Sequence, residues 1–252
     1  MPHGSTLMTD ETREREREQN TRQSENPNLE YVGSIKERWN DDYFDDRNSN
    51  NPLRTIQFEQ DSDFIRSFVK NGVVCDVGCS TGEFLRHIKF EGILYGMEIN
   101  DKAKKIASDI ISFEKNIFTE ENFFDLIIFR GTIQHVDIPF QMIKSAHKSL
   151  KKDGYLVFLA TPNSNSILYR IKQDLPFLDW PLNFYIPGKK DLTNALENFG
   201  FEIMKIEFPY WRTPYRNFMN DHFKFILNLF SRKFYKHAFW GSSMNIAAKK
   251  LN

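Results

Sequence analysis

The sequence predicts an α/β fold in which helices wind on both sides of a mostly parallel sheet. Two short apolar runs, residues 73–77 (VVCDV) and 93–98 (ILYGME), have the two-sided apolar character of buried parallel strands. Each run carries an acid near its end, Asp76 in the first and Glu98 in the second. Helix-like stretches alternate with such runs along the chain. Because open α/β sheets bind ligands at the carboxyl ends of their strands, these two acids mark a predicted binding site.

The other elements continue this alternation and end with two closing strands. They are predicted as a helix at 57–70, a helix at 101–110, a weak third strand at 111–113, a fourth strand at 124–129, a helix after Pro139, a strand from Gly154, a helix at 191–199, and strands at 201–208 and 244–250.

Composition and charge narrow the class of protein. The chain has 252 residues with a formal net charge of +0, and this balance gives no general attraction to nucleic acid. It has no apolar run of transmembrane length, and its opening lacks the apolar core of a signal peptide. The two cysteines, Cys75 and Cys79, suit reduced thiols. We therefore expect a soluble cytoplasmic protein without a transmembrane segment that does not act on nucleic acid.

Three regions are expected along the chain. Residues 1–28 are polar and are predicted to form a disordered tail, whose opening MPHGSTL is compatible with a cloning remnant. Residues 29–58 are predicted as a helical lid, with an ordinary packing helix as the alternative. Residues 59–252 form the main domain, with insertions at 164–188 and 209–241.

The loop after the first strand indicates which kind of nucleotide the site would take. Gly78 and Gly82 let the backbone turn tightly. A dinucleotide fingerprint would place glycine at positions 80 and 83, where this chain has Ser80 and Glu83. A pyrophosphate is disfavoured beside the Glu83 carboxylate, so a nicotinamide cofactor is less expected than a nucleoside without phosphates.

Several ordered motifs resemble those of class I S-adenosylmethionine-dependent methyltransferases of the small-molecule subgroup. The D-x-G-x-x-x-G motif appears as Asp76, Gly78 and Gly82. The run FDLIIFRGTIQHV at 124–136 and the run LKKDGYLVFLATPN at 150–163 are similar to later motifs of that family. The resemblance implies a seven-stranded sheet whose last strand is antiparallel, and S-adenosylmethionine as the cofactor.

The same resemblance assigns cofactor-binding roles. Glu98 would bind the ribose, Asn116 the adenine with Ile117 packed on the ring, and Arg130 the methionine carboxylate. The full predicted set is Asp76, Gly78, Cys79, Ser80, Gly82, Glu98, Ile99, Asn116, Ile117, Arg130 and Gly131. No metal site is expected.

The acceptor side is predicted more loosely. His135, just past the fourth strand, is either the general base or a histidine that orders its loop. The predicted acceptor-binding residues are Tyr43, Asn163, Tyr185, Arg212 and Arg216.

The two insertions are expected to form an aromatic and cationic substrate cap. Residues 209–241 contain 11 aromatic residues and six Lys or Arg against one acid, Asp221. Apolar residues at helical spacing there are expected to be buried, namely Met219, Phe223, Ile226, Leu227, Phe230 and Phe234. An alternative has the cations facing a phosphate-bearing acceptor or an anionic membrane surface.

These observations predict a methyltransferase for a small acceptor. O-methylation of a sugar, a nucleotide-linked or another phosphorylated metabolite is favoured, as in polysaccharide or secondary-metabolite biosynthesis, with N-methylation next. A nicotinamide-dependent oxidoreductase and a catalytically silent cofactor-binding module are the alternatives from other classes.

Overall fold

The computed structural model describes residues 44, 51–176, 178 and 183–251, and these contain a six-stranded sheet with helices between the strands. The strands are β1 (Asn71–Val77), β2 (Glu91–Met97), β3 (Phe124–Arg130), β4 (Leu150–Pro162), β5 (Phe201–Glu207) and β6 (Ser243–Lys250). The helices are α1 (Pro52–Arg66), α2 (Glu83–His87), α3 (Asp101–Ala107), α4 (Pro139–Ser149), α5 (Ile167–Lys172), α6 (Lys189–Asn198) and α7 (Phe218–Phe230). Short 3₁₀ turns occur at Ile133–His135 and Pro209–Trp211.

The strand order is β2-β1-β3-β4-β6-β5. The strands from β2 to β4 are parallel, whereas β6 pairs antiparallel with both β4 and β5. The α/β class, the mostly parallel sheet and the antiparallel last strand are therefore confirmed. The parallel arrangement brings the ends of β1, β2 and β3 to one edge.

The prediction of seven strands is wrong, because the weak third strand predicted at 111–113 forms a single isolated β-bridge, between Ser112 and Tyr95, instead of a strand. Ser112 donates from its amide to the carbonyl of Leu94 and accepts from the amide of Gly96, both at 3.0 Å. The backbone then turns at Asn116, whose Oδ1 accepts from the amide of Phe118 at 2.9 Å. A segment that makes one bridge and then turns does not continue along β2.

The core lies on both faces of the central strands. Leu126, Ile127, Ile128 and Phe129 of β3 are all fully buried, as expected for a parallel strand between two layers. The Phe129 and Phe158 rings stack across β3 and β4 with their centroids 5.3 Å apart. These contacts hold β3 firmly where the candidate site begins.

Helix α1 begins earlier than the sequence predicted and packs beside this edge. Asn51 caps it, accepting from the amides of Leu53 and Arg54, and Pro52 occupies the first helical position. The predicted lid at 29–58 thus ends inside a regular helix. The rest of that lid, except residue 44, lies outside the described residues, as do Tyr43 and the predicted disordered tail.

The two insertions pack against each other around a small apolar cluster. Its buried members are Leu168, Leu175, Leu178 and Phe239, with Tyr169, Ile186, Phe225 and Phe234 partly buried against them.

The expectation that the apolar residues of this segment are buried is wrong for four of the six, whereas Leu227 and Phe234 are half-buried. Met219, Phe223, Ile226 and Phe230 are 78%, 61%, 53% and 87% exposed. The inward side of α7 carries Phe225 of the apolar cluster together with a buried polar residue, Asp221, which accepts from the Tyr210 hydroxyl at 3.1 Å.

Candidate active site

The glycine loop after β1 is tied directly to the end of β2. The amides of Gly78 and Cys79 donate to the carbonyl of Met97 at 2.7 and 3.1 Å. Gly78 has a φ of 76°, and a Cβ there would lie 2.6 Å from Cγ2 of Thr132. Glycine is required at this position for both reasons, since an L side chain would be strained and would collide. The loop is therefore held between β2 and the segment after β3.

Glu98 holds the same loop through backbone amides. Its Oε2 accepts from the amide of Ser80 at 2.9 Å. Its Oε1 accepts from Ile99 and Asn100 at 2.8 and 2.9 Å. Burial raises the pKa of Glu98, and these three hydrogen bonds oppose the rise. The carboxylate still has acceptor capacity for a sugar hydroxyl, because each carboxylate oxygen can accept two hydrogen bonds.

Asp76 and Ser80 carry polar atoms without protein partners. Asp76 is 2% exposed, and neither its Oδ1 nor the Ser80 Oγ has a hydrogen-bond partner. Burial raises the pKa of Asp76 to about 7, with the Arg130 charge lowering it and the Glu98 charge raising it. Buried polar groups are normally hydrogen-bonded, so two orphaned atoms, one near the end of β1 and one in the loop after it, indicate that this place receives a ligand.

Arg130, at the end of β3, is engaged with α1. Its Nε and Nη2 both lie 2.9 Å from Oδ2 of Asp61. Its guanidinium lies over the Phe58 ring, 4.4 Å from the centroid. Oδ1 of Asp61 accepts from Nε2 of Gln57 at 3.0 Å. This buried ion pair connects α1 to the candidate site.

A second group of orphaned polar atoms lies just past β3. The backbone carbonyl of Gln134 accepts from the amides of Phe184 and Tyr185 at 2.9 and 3.3 Å, which brings the first insertion onto this turn. Four residues here have buried polar atoms without hydrogen-bond partners. They are Gln134 (Oε1), Asp137 (Oδ1), Asn183 (Oδ1 and Nδ2) and Tyr185 (hydroxyl).

His135 belongs to this group by position. It is half-buried, and its Nε2 lies 3.4 Å from Nε2 of Gln134. Burial raises the pKa of its neighbour Asp137, and burial also raises the pKa of Tyr185 to about 12. A histidine, a carboxylate, two amides and a phenol thus surround the end of β3.

Residues 54–206, more than half of the chain, match a family model described as a methyltransferase domain. The chain belongs to this methyltransferase family. Together with the fold, the match establishes a methyltransferase domain with the class I methyltransferase fold.

Known proteins similar to this methyltransferase have different acceptors. The chain is 28% identical over 130 residues to a ubiquinone biosynthesis O-methyltransferase of Hydrogenovibrio crunogenus, covering 46% of this chain and 51% of that protein. It is 27% identical over 173 residues to a tRNA U34 carboxymethyltransferase of Helicobacter pylori, covering 60% and 66%. The chain thus matches half to two thirds of the length of these relatives.

Solved structures support the fold. An S-adenosylmethionine-dependent methyltransferase from Archaeoglobus fulgidus has a TM-score of 0.50 and 21% identity, covering 77% of this chain and 94% of that one. At such identity the likeness concerns the fold alone.

The residues at the glycine loop fit the cofactor of this methyltransferase family. Asp76 and Ser80 have polar atoms to offer, and Glu98 stands at the end of β2. Gly131 has a φ of 60°, and among the described residues a Cβ there would meet only Nε2 of Gln134, at 4.0 Å, so its backbone allows close approach. When bound, S-adenosylmethionine supplies an electrophilic methyl group on a sulfonium.

Three other predicted cofactor residues are buried or already engaged in contacts within the protein. Ile117 is 1% exposed, which leaves little of its surface for an adenine ring. Asn116 uses its Oδ1 in its own turn. Cys79 is buried, and its Sγ lies 2.6 Å from where a Cβ on Gly96 would be, so it packs the loop against β2. These three roles, and that of Arg130 toward the methionine carboxylate, stay predictions.

The predicted acceptor residues are not gathered in one place. Oδ1 of Asn163 accepts from the amides of Asn165 and Lys189 at 3.1 and 2.9 Å, and its Nδ2 donates to the carbonyl of Gly241 at 2.8 Å. This buried side chain holds loops together, a placement that gives no support to acceptor contact. Arg212 is exposed and lies 3.4 Å from Glu207, and Arg216 donates to the carbonyl of Trp211 at 2.9 Å. Of the predicted acceptor residues that the structure describes, only Tyr185 joins His135.

The sequence reasoning missed three residues of this site, Asp61, Gln134 and Asn183. Gln134 lies inside the motif that was recognised, and its position beside His135 was an available signal. Asp61 and Asn183 carry no local pattern, because their partners are distant in the chain.

Two further observations concern the described part of the chain. It contains no group of three or more His, Cys, Asp or Glu side chains arranged to hold a metal ion. None of its helices combines the length and apolar character needed to cross a bilayer.

Proposed function

We propose that this methyltransferase transfers the methyl group to a hydroxyl oxygen of a small, hydroxyl-rich acceptor. A sugar or a nucleotide-linked or otherwise phosphorylated metabolite is the favoured class. The observation that carries the proposal is the set of orphaned polar atoms past β3, on Gln134, Asp137, Asn183 and Tyr185.

The chemistry of this set favours a neutral polyol over a cation or an apolar ring. The amides and the phenol offer both donors and acceptors, as a sugar's hydroxyl groups require. Leaving such groups buried without partners is costly, by roughly 1–3 kcal/mol each, so an acceptor that satisfies them would be preferred over one that does not. Phe140, whose ring lies 5.6 Å from that of Tyr185, adds an aromatic face of the kind that packs on sugars.

His135 is proposed as the base that removes the hydroxyl proton. It belongs to the turn that follows β3, beside the glycine loop that is proposed to bind the donor. Positioning and exclusion of water would supply the rest of the acceleration.

The test is transfer of a labelled methyl group from S-adenosylmethionine to a panel of hydroxylated metabolites and, in parallel, of amines. We expect a hydroxylated acceptor to be labelled. His135→Asn should then lower kcat by about 10²–10⁴-fold without changing the affinity for S-adenosylhomocysteine. Asn183→Ala and Tyr185→Phe should act mainly on KM of the acceptor.

His147→Asn serves as the matched control, since this half-buried histidine packs edge-on against Phe201, away from β3's end. Labelling of amines alone would favour N-methylation. Unchanged kcat in His135→Asn would assign that histidine to ordering its loop. Failure of S-adenosylmethionine to bind at all would contradict the proposal at its first step.

The tRNA-modifying relative makes tRNA the second candidate acceptor. The zero net charge of the whole chain gives no general attraction to nucleic acid, although six Lys or Arg are concentrated in residues 209–241. The same labelled donor, offered with total tRNA, discriminates the two. Cytoplasmic location stays part of the proposal, and the free, buried thiols of Cys75 and Cys79 agree with a reducing compartment.

A further inference from the structure

Helix α7 presents its apolar side to solvent. Met219, Phe223, Ile226 and Phe230 follow one another at spacings of four, three and four residues, so they form one stripe along the helix. All four are more than half exposed, and Phe230 is 87% exposed. Such a continuous row of large apolar side chains on the surface is unusual for a monomeric protein and marks an interaction site.

The opposite side of α7 carries Asp221, Phe225 and Asn228 and is held firmly in the protein, where the Phe225 ring stacks on that of Phe239 at a centroid distance of 4.1 Å. Asp221 and Asn228 are 3% and 1% exposed. The amide of Asn217 donates to Oδ2 of Asp221 at 2.9 Å, and Nδ2 of Asn228 donates to the carbonyl of Tyr235 at 3.0 Å. Because these polar residues are satisfied inward, rotating α7 to bury the apolar stripe would break their hydrogen bonds. The outward stripe is therefore fixed by the fold.

Aromatic residues continue the exposed surface beyond the helix. Trp211 and Trp240 are 56% and 47% exposed, with ring centroids 5.5 Å apart. Phe218 stacks on Trp211 with a centroid distance of 5.8 Å and is itself 45% exposed. We call these three rings and the four stripe residues the α7 surface.

The segment that contains the α7 surface is strongly cationic. Residues 209–241 hold six Lys or Arg, and their one acid, Asp221, is buried. The cations are Arg212, Arg216, Lys224, Arg232, Lys233 and Lys236. The guanidinium of Arg216 lies over the Trp211 ring, 5.5 Å from the centroid, so at least one cation is adjacent to the apolar patch. The whole chain is neutral, so the excess of positive charge is local.

We propose that the α7 surface docks this protein on an anionic lipid bilayer, with α7 lying in the plane of the interface. Exposed apolar side chains on one side of a short helix, exposed tryptophans and a local excess of lysines and arginines form the combination that interfacial helices use. The proposal stands on this surface and is independent of which acceptor is methylated.

Charge favours a membrane over a second copy of this chain. In a two-fold dimer built on the α7 surface, each segment of 209–241 would face its own excess of positive charge. An anionic lipid surface instead attracts the same charges.

The experiment is vesicle flotation of the full chain, with vesicles of phosphatidylcholine alone and of phosphatidylcholine mixed with phosphatidylglycerol. We expect flotation with the mixed vesicles and much less with the neutral ones. Added salt should weaken the binding, because it screens the attraction between the lysine and arginine charges of residues 209–241 and the anionic lipids.

Two double variants separate the apolar and cationic contributions. Phe223→Gln with Phe230→Gln should lower partitioning at least about tenfold, since two large apolar side chains no longer enter the bilayer. Arg232→Gln with Lys233→Gln should lower it by roughly tenfold on anionic vesicles and little on neutral ones. Met204→Gln, at an exposed apolar position on β5, is the matched control and should bind as the wild type does.

S-adenosylhomocysteine binding checks that each variant is folded. The proposal is overturned if the full chain stays in the buffer with both kinds of vesicle. It is equally overturned if sedimentation velocity shows a dimer that the phenylalanine variant abolishes while no protein floats, because the surface would then serve self-association.

Discussion

The carboxyl group of Asp76 is buried, and no contact from the described part of the chain satisfies its Oδ1. A fully buried carboxylate with an orphaned oxygen destabilises the folded chain whenever it is ionised. A cationic ligand group would relieve that cost, and the cofactor of this family carries cationic groups.

We predict that Asp76→Asn changes how stability depends on pH. The pKa of Asp76 is about 7 in the folded protein against an ordinary value of 3.8. Between these values the folded chain binds a proton that the unfolded chain has released, so stability of the wild type falls as pH rises through this window. The loss is on the order of a few kcal/mol by pH 8. Thermal unfolding measured from pH 4 to pH 8 should therefore show the stability of Asp76→Asn increasing relative to that of the wild type as the pH rises.

Below about pH 4 the wild type and Asp76→Asn should differ least, which provides an internal control. Parallel pH curves for the two proteins would show that Asp76 does not titrate as its burial indicates.

The positions of individual motif residues could be predicted where neighbouring residues in the sequence determine them. Gly78 and Glu98 sit at strand ends that the sequence defines, and both are found at the site. Asn183 was not predictable, because a backbone contact between Gln134 and the first insertion decides its position.

The buried ion pair between Asp61 and Arg130 joins two elements, α1 and β3. Burial raises the pKa of Asp61, and the Arg130 charge opposes that rise. Gln57 extends the connection, since its Oε1 accepts from the Thr213 hydroxyl at 2.9 Å. One helix therefore holds both the end of β3 and the start of the second insertion.

We expect Asp61→Ala to lower the free energy of unfolding by about 3–5 kcal/mol, because it leaves the Arg130 charge without its partner. Replacing both, as Asp61→Leu with Arg130→Met, should recover most of that loss. Urea denaturation measures both variants, and Asp63→Ala on the exposed side of α1 is the control. If Asp61→Ala unfolds at the wild-type urea concentration, the pair does not hold α1 in place.

The periodicity of apolar residues predicted where helices and strands form better than it predicted which side of each element is buried. The spacing of apolar residues in α7 gave a helix, but spacing cannot tell which side faces the protein. The direction follows from Asp221 and Asn228, whose partners become known only in the structure. Likewise residues 111–113 have strand-like character, yet they make a single bridge, because the chain turns at Asn116.

The cofactor should stabilise the whole domain. At 100 times its Kd, S-adenosylhomocysteine adds about 2.7 kcal/mol, which for a chain of this size corresponds to a rise in Tm of roughly 5–10 °C. Glu98→Gln should reduce that rise by more than half at the same ligand concentration, because the neutral amide accepts hydrogen bonds less strongly than the carboxylate. Glu202→Gln, on the exposed side of β5, should leave it unchanged.

Differential scanning fluorimetry with and without ligand measures these shifts. An equal rise for Glu98→Gln and wild type would remove Glu98 from the binding site without affecting the family assignment.

For the whole molecule, the order and class of elements could be predicted because each is encoded locally. The charge distribution could not, since a net charge of +0 conceals the cationic segment at 209–241. The relation between the insertions and the site depends on contacts that span the chain.

The position of β6 between β4 and β5 has a consequence for biosynthesis. Its eight residues follow every other strand in the chain, yet both β4 and β5 form hydrogen bonds with them. During translation β5 leaves the ribosome before β6, its only partner strand in the described sheet. Until β6 emerges, β4 and β5 each have an edge whose backbone groups lack their hydrogen-bond partners. A pause by the ribosome within that interval would prolong the exposure of both edges and recruit chaperones, whereas a pause before β5 would prolong the exposure of the β4 edge alone.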